Sequence, residues 1–133
     1  MQIKLSGTVT LLQVFDMPRS LCFYRDLLGF AVVQQSQPVD RCGWAWLRRD
    51  DTEIMLNTAY EDEFRPAEPD PGRIKAHQDT ILYFGCPDVD AAYEYLRSKG
   101  TPASEPKNAP YGMRQLYLQD PDGFGICFQW KLP

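Results

Sequence analysis

Five residues of the first half of the chain return at the same spacing in the second half. The pairs are Val9 with Ile81, Asp16 with Asp88, Asp50 with Asp122, Ile54 with Ile126 and Met55 with Cys127, and the residue numbers within each pair differ by 72. In both halves an apolar strand ends at an Asp, a helical stretch ends in Gly, and another strand follows an Asp-rich turn. A repeat of this length indicates two copies of one supersecondary unit that share a core.

The first copy has the pattern of one helix among four strands. Residues 7–15 are rich in β-branched and apolar side chains, which predicts a strand. Asp16 is expected to cap the following helix, Pro18 suits its first turn, and Gly29 is expected to end it. Further strands are predicted over 30–35, 43–48 and 53–58, so the order is β-α-β-β-β.

The second copy repeats this order with a weaker third element. A strand is predicted over 80–85, followed by a helix that Asp88 caps and Gly100 ends. Residues 101–112 hold three prolines, so any strand there must be short or lie at an edge. Strands are predicted over 114–118 and 125–130, separated by the Asp-Pro-Asp-Gly turn of residues 120–123.

The chain of 133 residues is therefore expected to be one α+β domain of two repeated modules. The modules span about residues 5–58 and 77–131. Residues 59–76 are polar and rich in proline, and we expect them to form the connection between the modules.

Composition narrows the possible partners and the cellular compartment. A formal charge of -4 argues against a nucleic-acid partner, because phosphate binding needs a basic surface. No apolar run approaches the roughly 20 residues of a membrane span, and the first residues lack the pattern of a signal peptide. The expected location is the cytoplasm, where the scattered Cys22, Cys42, Cys86 and Cys127 are predicted to stay reduced.

Two segments resemble a known family. They are residues 14–30, Val-Phe-Asp-Met-Pro-Arg-Ser-Leu-Cys-Phe-Tyr-Arg-Asp-Leu-Leu-Gly-Phe, and residues 120–126, Asp-Pro-Asp-Gly-Phe-Gly-Ile. Both are similar to the vicinal oxygen chelate superfamily of glyoxalase I, extradiol dioxygenases and bleomycin resistance proteins. The resemblance covers nearly the whole chain. It implies paired modules whose mixed sheets form a cupped, incomplete barrel with the helices outside and a ligand inside, and it implies a homodimer.

The resemblance also implies where a metal would be held. Metal-dependent members place one ligand, mostly His or Glu, at each of four positions, and here these are Val9, Met55, Ile81 and Cys127. Valine and isoleucine cannot bind a cation, and one thioether with one thiol does not make a metal site. A shift by one residue does not supply the missing ligands. No metal and no cofactor are therefore predicted.

Alternation along the strands predicts which side chains line the cavity. If Ile54, Leu56, Ile126 and Phe128 pack under the helices, their neighbours point inward. Trp44 and Trp46 share one face of their strand, but alternation alone does not decide which. The predicted ligand-binding residues are Gln13, Trp44, Trp46, Met55, Asn57, Tyr83, Tyr117, Cys127 and Gln129.

Such a lining suits an organic ligand, because it is apolar or aromatic with a few neutral polar groups. The first hypothesis is a metal-free small-molecule binding protein similar to the bleomycin resistance proteins. The alternative is a metal-dependent lyase or dioxygenase with non-standard ligands, for instance Glu53 with His77. Glu53 is the candidate catalytic residue, and a metal-free isomerase or lyase could use Glu53 or Tyr117 as its acid–base group. A partner module with a filled cavity is the third possibility. His77 is otherwise expected to be an exposed residue before a strand.

Overall fold

The structure, a computed structural model, describes residues 1–37 and 42–133. The chain divides into two compact units, Met1–Ala67 and Glu68–Pro133. The described strands are β1 (Thr10–Val14), β2 (Ala31–Gln35), β3 (Trp44–Arg49), β4 (Thr52–Thr58), β5 (Ile81–Gly85), β6 (Lys107–Asn108), β7 (Met113–Gln119) and β8 (Gly125–Lys131). The helices are α1 (Met17–Leu21), α2 (Pro71–His77) and α3 (Val89–Ser98).

Each unit contains a mixed sheet of four described strands. The order is β1-β4-β3-β2 in the first sheet and β5-β8-β7-β6 in the second. The pairs β1–β4 and β5–β8 are parallel, and the other neighbours are antiparallel. Both sheets are open, so the predicted α+β fold of two β-α-β-β-β modules is confirmed.

The sequence repeat is also a repeat of strand register. In the first sheet Leu11 pairs with Met55, and in the second Tyr83 pairs with Cys127. Both members of the second pair lie 72 residues beyond those of the first. The hairpins differ, because two residues separate the last pair of β3–β4, whereas residues 120–124 separate the last pair of β7–β8. The parallel pairing, not the hairpin, is the part of the module that repeats.

One face of each sheet is buried under helices, and we call the other its open face. The buried face carries the apolar residues that alternation predicted, because successive side chains of a strand point to opposite sides. Buried residues of this face are Leu12, Val14, Ala45, Leu47, Ile54 and Leu56 in the first unit, and Leu116, Leu118 and Ile126 in the second. Among the described helices, α1 contacts β4, and α3 contacts β7 and β8.

The first helix starts and ends where the sequence predicts, but it is capped differently. Asp16 occupies the position before α1, yet its side chain makes no capping hydrogen bond, so that prediction is wrong. A cap bonds an N–H of the second or third helical residue, and here the second is Pro18, which has none. Residues Cys22–Leu27 continue as a π-helix, and Gly29 ends the segment with φ of 81°, as predicted.

The second unit contains a helix that the sequence analysis missed. Helix α2 begins in the segment 59–76 assigned to the connection and ends one residue beyond it, and a 3-10 turn over Asp62–Phe64 precedes it. The Asp70 side chain accepts a hydrogen bond of 2.9 Å from the Gly72 N–H, and Pro71 opens the helix. An Asp followed by Pro is a signal for a helix start, so the start of this helix was predictable from the sequence. One domain with modules 5–58 and 77–131 stays a prediction.

The other elements of the second unit follow the sequence. Asp88 caps α3 by accepting a hydrogen bond of 2.9 Å from the Ala91 N–H, and Gly100 follows the helix with φ of 71°. Strand β6 has two residues and lies at a sheet edge, as its proline-rich surroundings predict. Among the described helices, none has the length and hydropathy needed to cross a membrane.

Candidate functional site

The open face of the first sheet brings the two predicted tryptophans onto the predicted lining. Trp46 pairs with Met55, and Trp44 pairs with Asn57, so both indoles share the face of β4 that was expected to point inward. Gln13 lies beside Asn57 in the parallel pair. The structure thus decides the side that alternation had left open.

This face holds few hydrogen bonds. Asn57 Nδ2 donates to Gln13 Oε1 at 3.4 Å. The Trp46 Nε1 atom is buried and has no acceptor within the described part of the chain. Leu11, in the row of Met55, is 41% exposed. The first open face is therefore mainly an aromatic and aliphatic surface.

Glu53, the candidate catalytic residue, forms an ion pair on this face. Arg48 lies opposite it on β3, and Arg48 Nε and Nη2 donate to Glu53 Oε1 at 2.8 Å and 2.7 Å. The Glu53 side chain is 25% exposed. One carboxylate oxygen thus accepts both bonds. The arrangement favours an ion-pairing role for Glu53 at the edge of the aromatic surface.

The open face of the second sheet carries a connected hydrogen-bond network. Tyr111 and Tyr117 both donate from their hydroxyls to Gln115 Oε1, at 3.0 Å and 3.2 Å. Gln115 Nε2 donates to Gln129 Oε1 at 2.9 Å. The hydroxyls of Tyr83 and Tyr117 lie 3.4 Å apart, and their rings meet edge to face at 6.4 Å. Three strands thus join in one polar array.

The thiol of Cys127 lies beneath this network. Cys127 stands between Tyr83 and Tyr117 in the strand register and is fully buried. Burial raises the pKa of the Cys127 thiol. Beside Tyr83 and next to Cys127 the pKa of Tyr117 is strongly raised, because partial burial disfavours the phenolate. Both groups are therefore neutral near pH 7, and a protonated thiol is a poor metal ligand.

The four positions implied for a metal do not fit one. Val9 precedes β1, Met55 lies opposite Leu11, Ile81 is 42% exposed at the start of β5, and Cys127 is buried. Hydrocarbon side chains offer no lone pair, and the remaining thioether and neutral thiol are soft ligands. Among residues 1–37 and 42–133, no group of three or more His, Cys, Asp or Glu side chains could hold a metal ion.

His77 is half-buried at the end of α2, so the expectation of an exposed residue is wrong. Its ring stacks on Phe124, with centroids 4.0 Å apart and an interplanar angle of 9°. Its Nδ1–H donates to the Asp122 carbonyl at 2.7 Å. The reason is that α2 packs on the turn before β8: a Cβ on Gly123, whose φ is 90°, would lie 2.2 Å from the Ile74 carbonyl oxygen. The stacking and the hydrogen bond of His77 therefore hold α2 against this turn.

The helix-covered side of the second sheet has a cavity of its own. It measures about 360 Å³ and lies at the start of α3, where Trp130, Val89 and Arg114 contribute to its wall. Arg114 Nη2 lies 2.7 Å from Asp90 Oδ1, and Arg114 Nη1 donates to Asn108. This hydrogen bonding raises the pKa of Arg114 and lowers that of Asp90. Arg114 and Asp90 thus neutralise each other at this cavity, and none of the predicted lining residues contributes to its wall.

The paired modules and their open faces agree with a sequence comparison. The family model described as Glyoxalase/Bleomycin resistance protein/Dioxygenase superfamily matches residues 7–128. The chain belongs to this superfamily. The match spans both modules, so the resemblance found in the two segments extends over nearly the whole chain.

Three similar proteins share about a quarter of their residues with this chain. The chain is 26% identical over 122 residues to the lactoylglutathione lyase of Haemophilus influenzae, covering 90% of this chain and 87% of that protein. It shares its fold with TnmS3, an antibiotic binding protein from Streptomyces sp. CB03234, at a TM-score of 0.69 and 24% identity over 99% of both chains. A glyoxalase/bleomycin resistance protein/dioxygenase from Nocardioides matches at a TM-score of 0.73 and 23% identity, over 99% of this chain and 87% of that one.

Two contributors to the open faces escaped the sequence analysis. Arg48 was not considered, although it pairs with Glu53 one step beyond the residues that flank a two-residue turn, and opposite charges stabilise such cross-strand pairs. Tyr111 lies in a loop beside Pro110, where no periodicity indicates the direction of its side chain. Only the folded chain brings its hydroxyl to Gln115.

Proposed function

We propose that this protein binds a small organic molecule without a metal and without catalysing its conversion. The observation that carries the proposal is the replacement of a metal-binding lining by hydrocarbon and sulfur at Val9, Met55, Ile81 and Cys127. The predicted ligand-binding side chains are Gln13, Trp44, Trp46, Met55 and Asn57 on the first open face, and Tyr83, Tyr117, Cys127 and Gln129 on the second.

The open faces have the composition of a small-molecule binding surface. Indole and phenol rings offer large planar areas at a small entropic cost, and a few neutral hydrogen-bonding groups can orient a ligand. Tyr83 is 50% exposed and Tyr117 is 37% exposed, although both are large and partly apolar. Exposed aromatic surface of this kind supports a ligand with planar or apolar parts.

The comparisons support ligand binding as a use of this fold. TnmS3 is an antibiotic binding protein, and its fold matches this chain over 99% of both. For this chain we propose sequestration of an antibiotic-like organic molecule, with stoichiometric binding and no turnover.

A second candidate function is a metal-dependent lyase or dioxygenase. The similarity to a lactoylglutathione lyase favours it. It would need non-standard ligands such as Glu53 and His77. Glu53 already pairs with Arg48 through one carboxylate oxygen, and within residues 1–37 and 42–133 no group of three or more His, Cys, Asp or Glu side chains could hold a metal ion. The metal-free binding protein is therefore the better-supported proposal.

We also propose that the protein is a cytoplasmic homodimer that binds neither nucleic acid nor membranes. The formal charge of -4 supports the absence of a nucleic-acid partner. The exposed Ile3 and Leu5, at 81% and 87%, supply apolar surface that a second copy could cover. Light scattering on the purified protein tests the dimer, and a monomer at micromolar concentration would refute it.

Metal analysis and a binding screen test the main proposal. Elemental analysis of the purified protein is expected to find far less than one metal ion per chain. Hits from a library of planar organic molecules should raise the melting temperature, since binding at a hundredfold excess over Kd stabilises by about 2.7 kcal/mol. Stoichiometric metal, or turnover of a bound compound, would overturn the proposal.

A matched pair of variants locates the site. Trp44→Ala removes an indole from the first open face and should weaken binding at least about tenfold. Phe64→Ala removes an aromatic ring that is 70% exposed in the 3-10 turn, and it should leave affinity unchanged. Equal effects of the two substitutions would place the ligand elsewhere.

A further inference from the structure

We propose that the second open face selects its ligand by the direction of hydrogen bonding, donating at Gln129 and accepting at Tyr83. The preferred ligand is then a planar molecule with an acceptor, such as a carbonyl, at one end and a donor, such as a hydroxyl, at the other. This inference rests on the proposed binding function and names the chemical class of the ligand.

The direction of the network is set at Gln115. Its Oε1 accepts from the hydroxyls of both Tyr111 and Tyr117, which uses the two lone pairs of an amide oxygen. Its Nε2 is then turned toward Gln129 and donates to Oε1 of that residue. Gln115 is only 6% exposed, so its amide is held in this orientation by packing as well.

Gln129 presents hydrogen-bond donors at the surface, because its acceptor oxygen is already bonded. Its Oε1 is occupied by Gln115, whereas its Nε2 carries two hydrogens that have no partner within residues 1–37 and 42–133. The Gln129 side chain is half-buried, so water reaches it from the open face. This end of the network therefore offers hydrogen-bond donors to a ligand.

Tyr83 forms the opposite end. A tyrosine hydroxyl has one hydrogen, and that of Tyr117 goes to Gln115. The contact of 3.4 Å between the two hydroxyls then has Tyr83 as donor and Tyr117 as acceptor. With its hydrogen used, the hydroxyl of Tyr83, a residue that is half exposed, presents lone pairs to a ligand.

The two ends are spaced for a fused ring system. Tyr83 lies opposite Cys127, and Gln129 is two residues further along the neighbouring strand. With a rise of about 3.3 Å per residue along a strand and about 4.8 Å between neighbouring strands, the Cα atoms of these two residues lie roughly 8 Å apart. Umbelliferone, a coumarin with a lactone carbonyl at one end and a hydroxyl at the other, has its polar groups arranged in this way.

Fluorescence titration with umbelliferone and its methyl ether tests the donor requirement. The titration is run below the pKa of the probe's hydroxyl, so that the probe stays neutral. The ether keeps the carbonyl but cannot donate, and it should bind about fivefold to tenfold more weakly. Tyr83→Phe removes the acceptor and should abolish this difference between the two probes. Equal affinity of the two probes for the unmodified protein would overturn the inference.

A charge substitution tests the donor end. In Gln115→Glu the carboxylate accepts from both tyrosines and draws in Nε2 of Gln129, which turns Oε1 of Gln129 toward the ligand. Umbelliferone should then bind about tenfold more weakly, because two acceptors face each other. Gln119→Glu places the same charge at an exposed position of β7 and should leave affinity unchanged.

The outcomes separate this inference from the proposed function. Unchanged binding in Gln115→Glu, or an equal loss in Gln119→Glu, refutes the directional selection. If neither coumarin binds but planar library compounds do, the selection is refuted and the binding function stands. If Gln115→Glu does not fold, the comparison of the two probes on Tyr83→Phe decides alone. If the protein binds no organic molecule at all, both the directional selection and the binding function are refuted.

Discussion

The two open faces rest on the same parallel strand register but differ in their chemistry. The first presents two indoles, a thioether and one ion pair, whereas the second presents tyrosines and glutamines linked above a buried thiol. Backbone hydrogen bonds define the register, and side chains on an open face can change without disturbing them. The repeat therefore preserved the scaffold of the two modules while their open faces diverged.

Substitutions on the helix-covered faces of the two sheets should cause the largest losses of stability, and the losses should be similar in both modules. Ile54 and Ile126 occupy equivalent places and are 1% and 0% exposed. Ile54→Ala and Ile126→Ala should each lower the free energy of unfolding by about 2–5 kcal/mol, because each leaves a cavity. Denaturant unfolding measures this. A cost confined to one module would break the equivalence of the two cores.

The turns before the last strand of each module should differ sharply in how much stability a substitution costs. In Gly123→Ala the new Cβ would meet the Ile74 carbonyl at 2.2 Å in a backbone with φ of 90°, so the loss should be about 3 kcal/mol. Asp51, the equivalent residue of the first module, is exposed in a two-residue turn. Asp51→Ala should change stability by less than about 0.5 kcal/mol. Similar losses in the two variants would contradict the distinct role of α2.

The stability of the protein at alkaline pH should depend on the second open face but not on the first. The pKa of Tyr117 is higher in the folded protein, so the unfolded chain releases this proton first. The contribution of Tyr117 is complete below about pH 10 and is lost as the pH rises further toward the folded pKa. Tyr117→Phe should flatten the fall in stability above that pH. Trp46→Phe should leave it unchanged, because an indole does not titrate. A wild-type slope in Tyr117→Phe would exclude this coupling.

A small effect on stability is expected at the indole nitrogen of Trp46 on the first open face. Trp46→Phe removes a buried N–H that has no acceptor among the described residues, so stability should change by less than about 1 kcal/mol. Tyr117→Phe removes a hydroxyl with two partners and should cost about 1 kcal/mol at neutral pH. Thermal unfolding of both variants checks the ranking. A larger loss for Trp46→Phe would reveal an acceptor for its N–H.

Much of the fold and part of the candidate site were predictable from local patterns. The alternation of Ile54 and Leu56 with Met55 and Asn57 predicted the two faces of β4, because strand side chains alternate by geometry. The face of Trp44 and Trp46 could not be predicted, since it depends on the hairpin register. The direction of the hydrogen bonds at Gln115 was equally inaccessible, because its partners come from different strands and a loop.

The sequence alone determined the repeat, the order of strands, the helix stops at Gly29 and Gly100, and the uncharged character of the four metal positions. These features follow from residue type and from spacing along the chain. Only the tertiary structure decided that His77 stacks on Phe124, that Glu53 pairs with Arg48, and that the second open face forms one directed network. Such contacts join residues distant in sequence, and their geometry exists only once the strands are in register.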